Sequence, residues 1–289
     1  MAKSKILLPE AGTDYDLLSN GVIRIARCNA APTELCGEGE GFPAYLSVVN
    51  HKLAIDKKKK YKKELAQEEE RFNQLVRKFR DNKRALILVL QGRDGAGKSG
   101  AAKRIIIASD YDAKLLQWIP IGAPTQDELA HPYLWRFFAF DRMPRYGQVR
   151  IFDRSWYERV LAEPVKEIIG EKTKLNSYAE LRTFDWLLTR QGAVVVKVWM
   201  DISYDEQGRR FKERKETKPW KYSDDDTAAR DKWDDYTAVA NEMLHFTGTP
   251  YAPWHVISSE DKRYSRVTLL KTVNDAMNDA LKDGFKHNA

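Results

Sequence analysis

Gly92-Arg-Asp-Gly-Ala-Gly-Lys98-Ser99 has the spacing of a phosphate-binding loop, G-x-x-x-x-G-K-[ST], without a mismatch. In such a turn the backbone N–H groups of Gly92, Arg93, Gly95, Ala96 and Gly97 point toward phosphate oxygens at an electropositive helix start. Lys98 adds a full positive charge, and the Ser99 hydroxyl can ligate Mg²⁺. Asp94 lies inside the loop, where a carboxylate does nothing for phosphate contact. It suits organisation of a metal or orientation of an acceptor. A second group, Val149-Arg-Ile-Phe-Asp153-Arg154-Ser155, ends a short apolar run in a carboxylate fit to hold Mg²⁺ or its water. Arg154 follows directly and can grip a phosphate with two parallel hydrogen bonds. A third stretch, Arg209 to Lys221, carries seven Arg or Lys against two Glu. Arg210 and Arg214, four apart on one helical face, suit a lid closing over phosphates. On that reading, loss of Arg210 weakens use of a long polyanion more than a short one. The chemistry these residues fit is phosphoryl transfer, which needs positioning and charge neutralisation more than covalent catalysis.

The elements that must position them are legible from hydrophobic patterning. Strands are expected at Ala85–Leu90, Leu115–Ile121, Val149–Phe152, Ala193–Met200 and His255–Ile257, with helical stretches between. Strands alternating with helices predict a parallel sheet with right-handed crossovers, and ligands bind at the carboxyl ends of its strands. Thr125-x-x-Glu128, Ser177-x-x-Glu180 and Ser203-x-x-Glu206 read as capping boxes that open helices. Lys57–Arg80 reads as a helix with a lysine run at its start and a stripe of Leu65, Phe72, Leu75, Val76 and Phe79. The expected organisation is an irregular extension over residues 1–50, with a short strand at Gly21–Ala26. A basic helix packs on the core over 51–84, and a phosphate-loop domain spans 85–289 with its lid at about 204–235.

Composition narrows the class. The 289 residues are 43% hydrophobic and 31% charged, as in a soluble globular chain, and no stretch reaches the length of a membrane span. Cys28 and Cys36 cannot form a four-ligand zinc site, and a cytoplasmic location is the expectation. The net charge of +7 favours anionic partners, namely nucleic acid, an anionic membrane or a polyanionic substrate.

Taken together, the chain resembles the polyphosphate kinase 2 family over about Ala85 to Tyr264. The resemblance rests on the Gly92–Ser99 loop with Asp94, Gly122-Ala-Pro-Thr-Gln-Asp-Glu-Leu129, Tyr133-Leu-Trp-Arg136 and Phe152-Asp-Arg-Ser-Trp-Tyr157. The basic stretch after Asp205-Glu-Gln207, Lys232-Trp-Asp234 with Tyr236, and Tyr251-Ala-Pro-Trp254 complete it. It implies an α/β P-loop kinase core, a parallel sheet flanked by helices with a helical lid, and Mg²⁺ as cofactor. Its implied partners are inorganic polyphosphate and adenine or guanine nucleotides, not nucleic acid or membrane, in a homodimer or tetramer. It places Asp94, Lys98, Asp153 and Arg154 at the reaction centre, Arg210 and Arg214 among the lid cations, and Gln126 and Glu128 beside the acceptor nucleotide. Phe152 to Leu161 looks most like the AMP-phosphorylating subgroup, with ADP as acceptor close behind. Two other readings stay open: an ATP-dependent nucleoside monophosphate kinase, and a non-catalytic protein that binds polyphosphate or RNA.

Overall fold

The computed structural model describes residues 6–35, 41–110, 112, 114–221 and 230–283. Cys36 and residues 222–229 of the expected lid lie outside them. The expected strands all form, as β5 (Ala85–Gly92), β6 (Leu116–Pro120), β7 (Val149–Asp153), β8 (Ala193–Asp201) and β9 (Trp254–Ser258). They pair in parallel in the order β9-β8-β5-β7-β6. The strand anticipated near Gly21–Ala26 is β3 (Ile23–Ile25), which pairs antiparallel with β9 and with β2 (Asp16–Leu17). The sheet is thereby extended to seven strands. A separate two-strand pair joins β1 (Ile6–Leu7) to β4 (Phe42–Pro43).

All eight residues of β5 are buried, so the strand that leads into the phosphate loop is covered on both faces. Side chains alternate across a strand. Leu86, Leu88 and Leu90 enter one core, with α1 (Lys58–Asp81), α2 (Lys98–Ala108) and a final helix that starts at Lys262. Ile87 and Val89 enter the other, with helices that begin at Glu171 and Trp233. Two helical layers thus sandwich a mostly parallel sheet, the arrangement that near-continuous apolar strands require. Leu65, Phe72, Leu75, Val76 and Phe79 form the buried stripe of α1, as the periodicity predicts.

Three one-turn helices decorate the loops: α3 (Gln126–Leu129), α4 (Trp135–Phe138) and α5 (Ala162–Val165). The long elements that follow are α6 (Glu171–Arg190), α7 (Tyr204–Thr217), α8 (Trp233–Thr247) and α9 (Lys262–Lys282). The Thr125 capping box is complete, with hydrogen bonds in both directions. Ser203 caps α7 by accepting from the Glu206 N–H, while the Glu206 carboxylate turns to Arg209 and Arg210 instead. The reading of Ser177 as a helix start is corrected. Ser177 lies mid-way along α6, buried, its hydroxyl donating to the Thr173 carbonyl one turn back. A buried serine satisfied by an i−4 carbonyl mimics the capping pattern without ending a helix.

Candidate active site

Burial of β5 and its parallel register with β8 fix the start of the loop. Gly92 stands opposite Met200 with φ 142°, and a Cβ there would lie 2.2 Å from the Met200 carbonyl oxygen. No other residue fits that approach. Past Gly97, at φ 91°, the chain enters α2. The Lys98 ammonium donates to the carbonyls of Gly92 (2.7 Å) and Arg93 (3.0 Å) and lies 3.7 Å from Asp94 Oδ1. Ser99 Oγ donates to Asp153 Oδ2 at 2.8 Å, so the hydroxyl and carboxylate singled out as metal ligands meet from different elements.

The strand pairing that sets Leu90 opposite Asp153 brings the end of β7 level with the loop. Arg154 then turns in the left-handed region, φ 64°, with its N–H donating to the Leu90 carbonyl at 3.0 Å. That conformation costs a non-glycine residue on the order of 1 kcal/mol. It aims the guanidinium at the loop, with Nη2 3.1 Å from Asp94 Oδ1. Burial alone would push the Asp94 carboxyl up. Lys98 and Arg154 outweigh that and hold it below the usual carboxylate range. Burial would lower the Arg154 guanidinium, but Glu158 and then Asp94 outweigh it and raise it above its ordinary value.

Behind Arg154 the turn is anchored to the core. Ser155 caps a single 3₁₀ turn, Trp156–Arg159, by accepting from the Tyr157 N–H. With the Gln91 amide oriented to satisfy both ends, it donates to Glu158 Oε1 at 3.0 Å and accepts from Ser155 N and Oγ. Burial lifts the Glu158 carboxyl above its usual range against the pull of Arg154 and Lys98, and Asp94 lifts it further. Trp156 Nε1 and Tyr157 Oη both donate to Asp185 of α6. Asp185 pairs with the wholly buried Lys197 of β8 at 2.8 Å. A fully satisfied polar network of this kind holds one backbone path.

α7 closes over the loop. Gln207 Nε2 donates to the Asp94 carbonyl at 2.9 Å, and the Phe211 ring packs on Gly95, 3.1 Å from where a Cβ would stand. Arg210 is buried. Its Nη1 donates to the Gly95 carbonyl, its Nη2 to the carbonyls of Ser259 and Glu260, and its Nε to Glu206. Arg214, one turn on, stacks over Phe211 and faces a cavity of about 860 Å³. Asp94, Gly95, Gly97, Lys98, Ser99, Asp153, Arg154 and Arg210 line it too, joined by Lys218 and Lys262.

The structure does not bring every expected side chain to this cavity. Arg93 points away, paired with Asp201 at 3.0 Å and stacked over Trp233, so only its backbone belongs to the loop. Ala96 is packed inside. Gln126 and Glu128 lie on α3, outside the cavity lining. Glu128 is buried, closes the Thr125 capping box and pairs with Arg136 (3.0 Å) and Arg142 (2.8 Å). Burial would raise its carboxyl, but the Thr125 N–H and these arginines hold it low. Its carboxylate thus closes a helix cap and two ion pairs outside the cavity lining. Glu158, Gln91 and Gln207 were not foreseen. Glu158 stands four residues after Arg154 in the sequence, a helix-face spacing that could have drawn attention to it.

The family model for Polyphosphate kinase 2 (PPK2) matches residues 55–284. The chain belongs to the polyphosphate kinase 2 family. It is 41% identical over 224 residues to a polyphosphate:AMP phosphotransferase of Pseudomonas aeruginosa, covering 77% of this chain and 44% of that protein. Over 213 residues it is 32% identical to a GDP-polyphosphate phosphotransferase of Mycobacterium tuberculosis, covering 73% and 70%. The crystal structure of polyphosphate kinase 2 from Arthrobacter aurescens superposes with a TM-score of 0.76 at 32% identity, covering 91% of this chain and 95% of that one. This polyphosphate kinase 2 chain spans less than half the length of the polyphosphate:AMP phosphotransferase it matches. The helical-lid kinase core foreseen from the sequence is the family's fold, and among the described residues no helix is long and apolar enough to cross a membrane.

Proposed function

We propose that this chain transfers a phosphoryl group reversibly between inorganic polyphosphate and a nucleotide, with AMP to ADP as the favoured forward reaction and ADP to ATP next. The observation that carries the reading is the Asp94–Arg154 contact at 3.1 Å inside a phosphate loop that opens to a cation-lined cavity. An ordinary phosphate loop needs no internal carboxylate. Here Asp94 holds Arg154 beside the loop on the cavity wall, which supports a role for that guanidinium in following a transferring phosphoryl group. Similarity to proteins named polyphosphate:AMP phosphotransferase supports the choice of donor and of AMP. Relatives named for GDP and for AMP/ADP keep adenine and guanine nucleotides in view as acceptors.

Each residue contributes by position and charge. The loop N–H groups of Gly92–Gly97 and the Lys98 ammonium bind phosphate oxygens. Arg154 follows the charge that spreads over the transferring group. Asp94 holds Arg154 and would help orient the acceptor phosphate for attack. Arg214, Lys218 and Lys262 bind successive units of a linear polyanion, which needs a row of cations where ATP needs a compact cluster.

The residues present fit a divalent cation, and we assign Mg²⁺. Ser99 Oγ and Asp153 Oδ2 converge at 2.8 Å on the cavity wall, a hard-oxygen pair of the kind that ion takes while keeping water and phosphate in its remaining positions. When bound there, the ion supplies neutralisation of charge on the bridging and transferring oxygens. Asp94, also anticipated as a ligand, is engaged by Arg154 and Lys98.

The test is a coupled assay with Mg²⁺ and long-chain polyphosphate, offering AMP and ADP separately. ADP formed from AMP upholds the proposal. Turnover only with ATP as donor returns the chain to the nucleoside monophosphate kinases, and salt-sensitive binding of polyphosphate or RNA with no product makes it a binding protein.

A further inference from the structure

The lysine run that opens α1 has no place in the site above and works against its own helix. Lys57, Lys58, Lys59, Lys60, Lys62 and Lys63 are all solvent-exposed. The helix starts without a side-chain cap and has no acidic residue in its first turn. A helix N-terminus is electropositive, so lysines there repel the helix's own partial charge. Lys60 has Glu64 one turn on, at 3.8 Å, an exposed pair of little consequence. Local rules broken without a gain in stability mark places where function is served.

The packing of α1 sets this run beside the start of α9, which borders the cavity. Arg263, beside the cavity-lining Lys262, donates to the carbonyl of Asp56, the residue before the run, at 2.8 Å. Further along, Asn274 donates to the Glu68 carbonyl and Arg71 pairs with Asp275, so α1 and α9 run side by side in one direction. The same holds for α2, where Asn73 reaches the Ala108 carbonyl and the charge of Arg104 acts on Glu69. All three helices therefore begin at the end of the sheet that bears the phosphate loop. Arg266 of α9 adds a further cation at the cavity edge, its guanidinium 3.7 Å from where a Cβ on cavity-lining Gly100 would stand. Basic side chains thus continue from the cavity wall, across the start of α9, onto α1.

We propose that this strip is a docking track for the length of a long inorganic polyphosphate chain that lies outside the cavity. The inference rests on polyphosphate being the donor. Its composition suits a polyanion without bases. The run is made of lysines, compact point charges with no fork to read a planar group. Its one aromatic, Tyr61, is half-buried and leaves no stacking platform for nucleobases. No exposed apolar residue interrupts it to enter a bilayer.

The test compares two triple variants of the full chain by equilibrium binding of end-labelled long-chain polyphosphate and of labelled tripolyphosphate. One is Lys58→Gln with Lys59→Gln and Lys62→Gln. The other removes equal charge at the far end of the same helix and just beyond it, Arg77→Gln with Lys78→Gln and Lys83→Gln, all exposed. The first variant is expected to bind long chains about tenfold more weakly with a shallower salt dependence, and tripolyphosphate as the parent does. The second is expected to match the parent with both. Unchanged long-chain binding in the first, or equal losses in both variants, overturns the track. So does a greater loss for an RNA oligomer or anionic phospholipid vesicles than for polyphosphate. A parent that binds long polyphosphate but transfers no phosphoryl group from it defeats the proposed function and leaves the track standing on its own binding data.

Discussion

Arg210 Nη1 donates to the Gly95 carbonyl at 2.9 Å, tying the basic helix α7 to the backbone of the phosphate loop. With its other nitrogens held by Glu206, Ser259 and Glu260, this arginine latches the helix in place. The sequence suggested a side chain that touches the polyanion. The expected consequence of Arg210→Ala therefore changes. Loss of several charge-assisted hydrogen bonds at a buried site loosens α7 and lowers kcat/KM at least tenfold, alike for tripolyphosphate and for long chains. Steady-state kinetics with both donors checks this, and amide exchange should rise across Tyr204–Thr217. A loss confined to long chains would restore Arg210 as a substrate contact.

Asp153→Asn keeps the shape of the β7 terminus but removes the charge that Ser99 faces at 2.8 Å. Turnover should fall by about two to three orders of magnitude, with the Mg²⁺ concentration for half-maximal activity raised. The melting temperature should barely move, because Asp153 lies on the cavity wall. Activity within a factor of two of the parent would remove Asp153 from the site.

Lys197 and Asp185 form a buried pair at 2.8 Å that also holds Tyr157 and Trp156 behind Arg154. Lys197→Met alone should destabilise the fold by about 3–5 kcal/mol, because it strands the Asp185 carboxylate. That corresponds to a drop in melting temperature on the order of 10 °C. Adding Asp185→Leu removes the stranded charge but leaves the buried Trp156 N–H and Tyr157 O–H without their acceptor, so it should recover only part of the loss. Calorimetry on the single and double variants decides. If the double falls below the single, the pair contributes net stability.

His255 is buried in β9, and burial pushes its imidazole down to about 4 from 6.5, with Arg24 and Lys197 lowering it further against a hydrogen bond to the Lys197 carbonyl. A depressed folded-state value means the unfolded chain binds the proton first. The contribution is therefore present above pH 6.5, fades as pH falls toward 4, and changes no further below that. His255→Asn should flatten the pH dependence of unfolding free energy across that window relative to the parent. Urea melts at a series of pH values read the difference. Parallel curves would show that His255 titrates as an ordinary histidine.

Much of this molecule was legible before folding. The apolar runs at β5 to β9 and the stripe on α1 follow from periodicities of two and 3.6, which burial on one or two faces dictates. The phosphate loop follows from glycines at positions that close backbone approach demands, as Gly92 against Met200 makes plain. These are local requirements, satisfied within a few residues of chain, so residue types at fixed spacing record them.

What the tertiary structure decided is which charged side chains line the cavity and which are spent on the protein itself. Arg154 and Arg214 reach the cavity, Arg93 turns to Asp201, and Arg210, on the cavity wall, spends its nitrogens on Glu206 and the carbonyls of Gly95, Ser259 and Glu260. Glu128, promising beside its motif, is consumed by Arg136 and Arg142, and Glu158 enters the site unannounced. An arginine's spacing is the same whether its partner is a phosphate or a buried carboxylate. Only the elements brought alongside it, from a hundred or so residues away in the case of Arg93 and Arg210, fix where the desolvated charge finds its counter-ion.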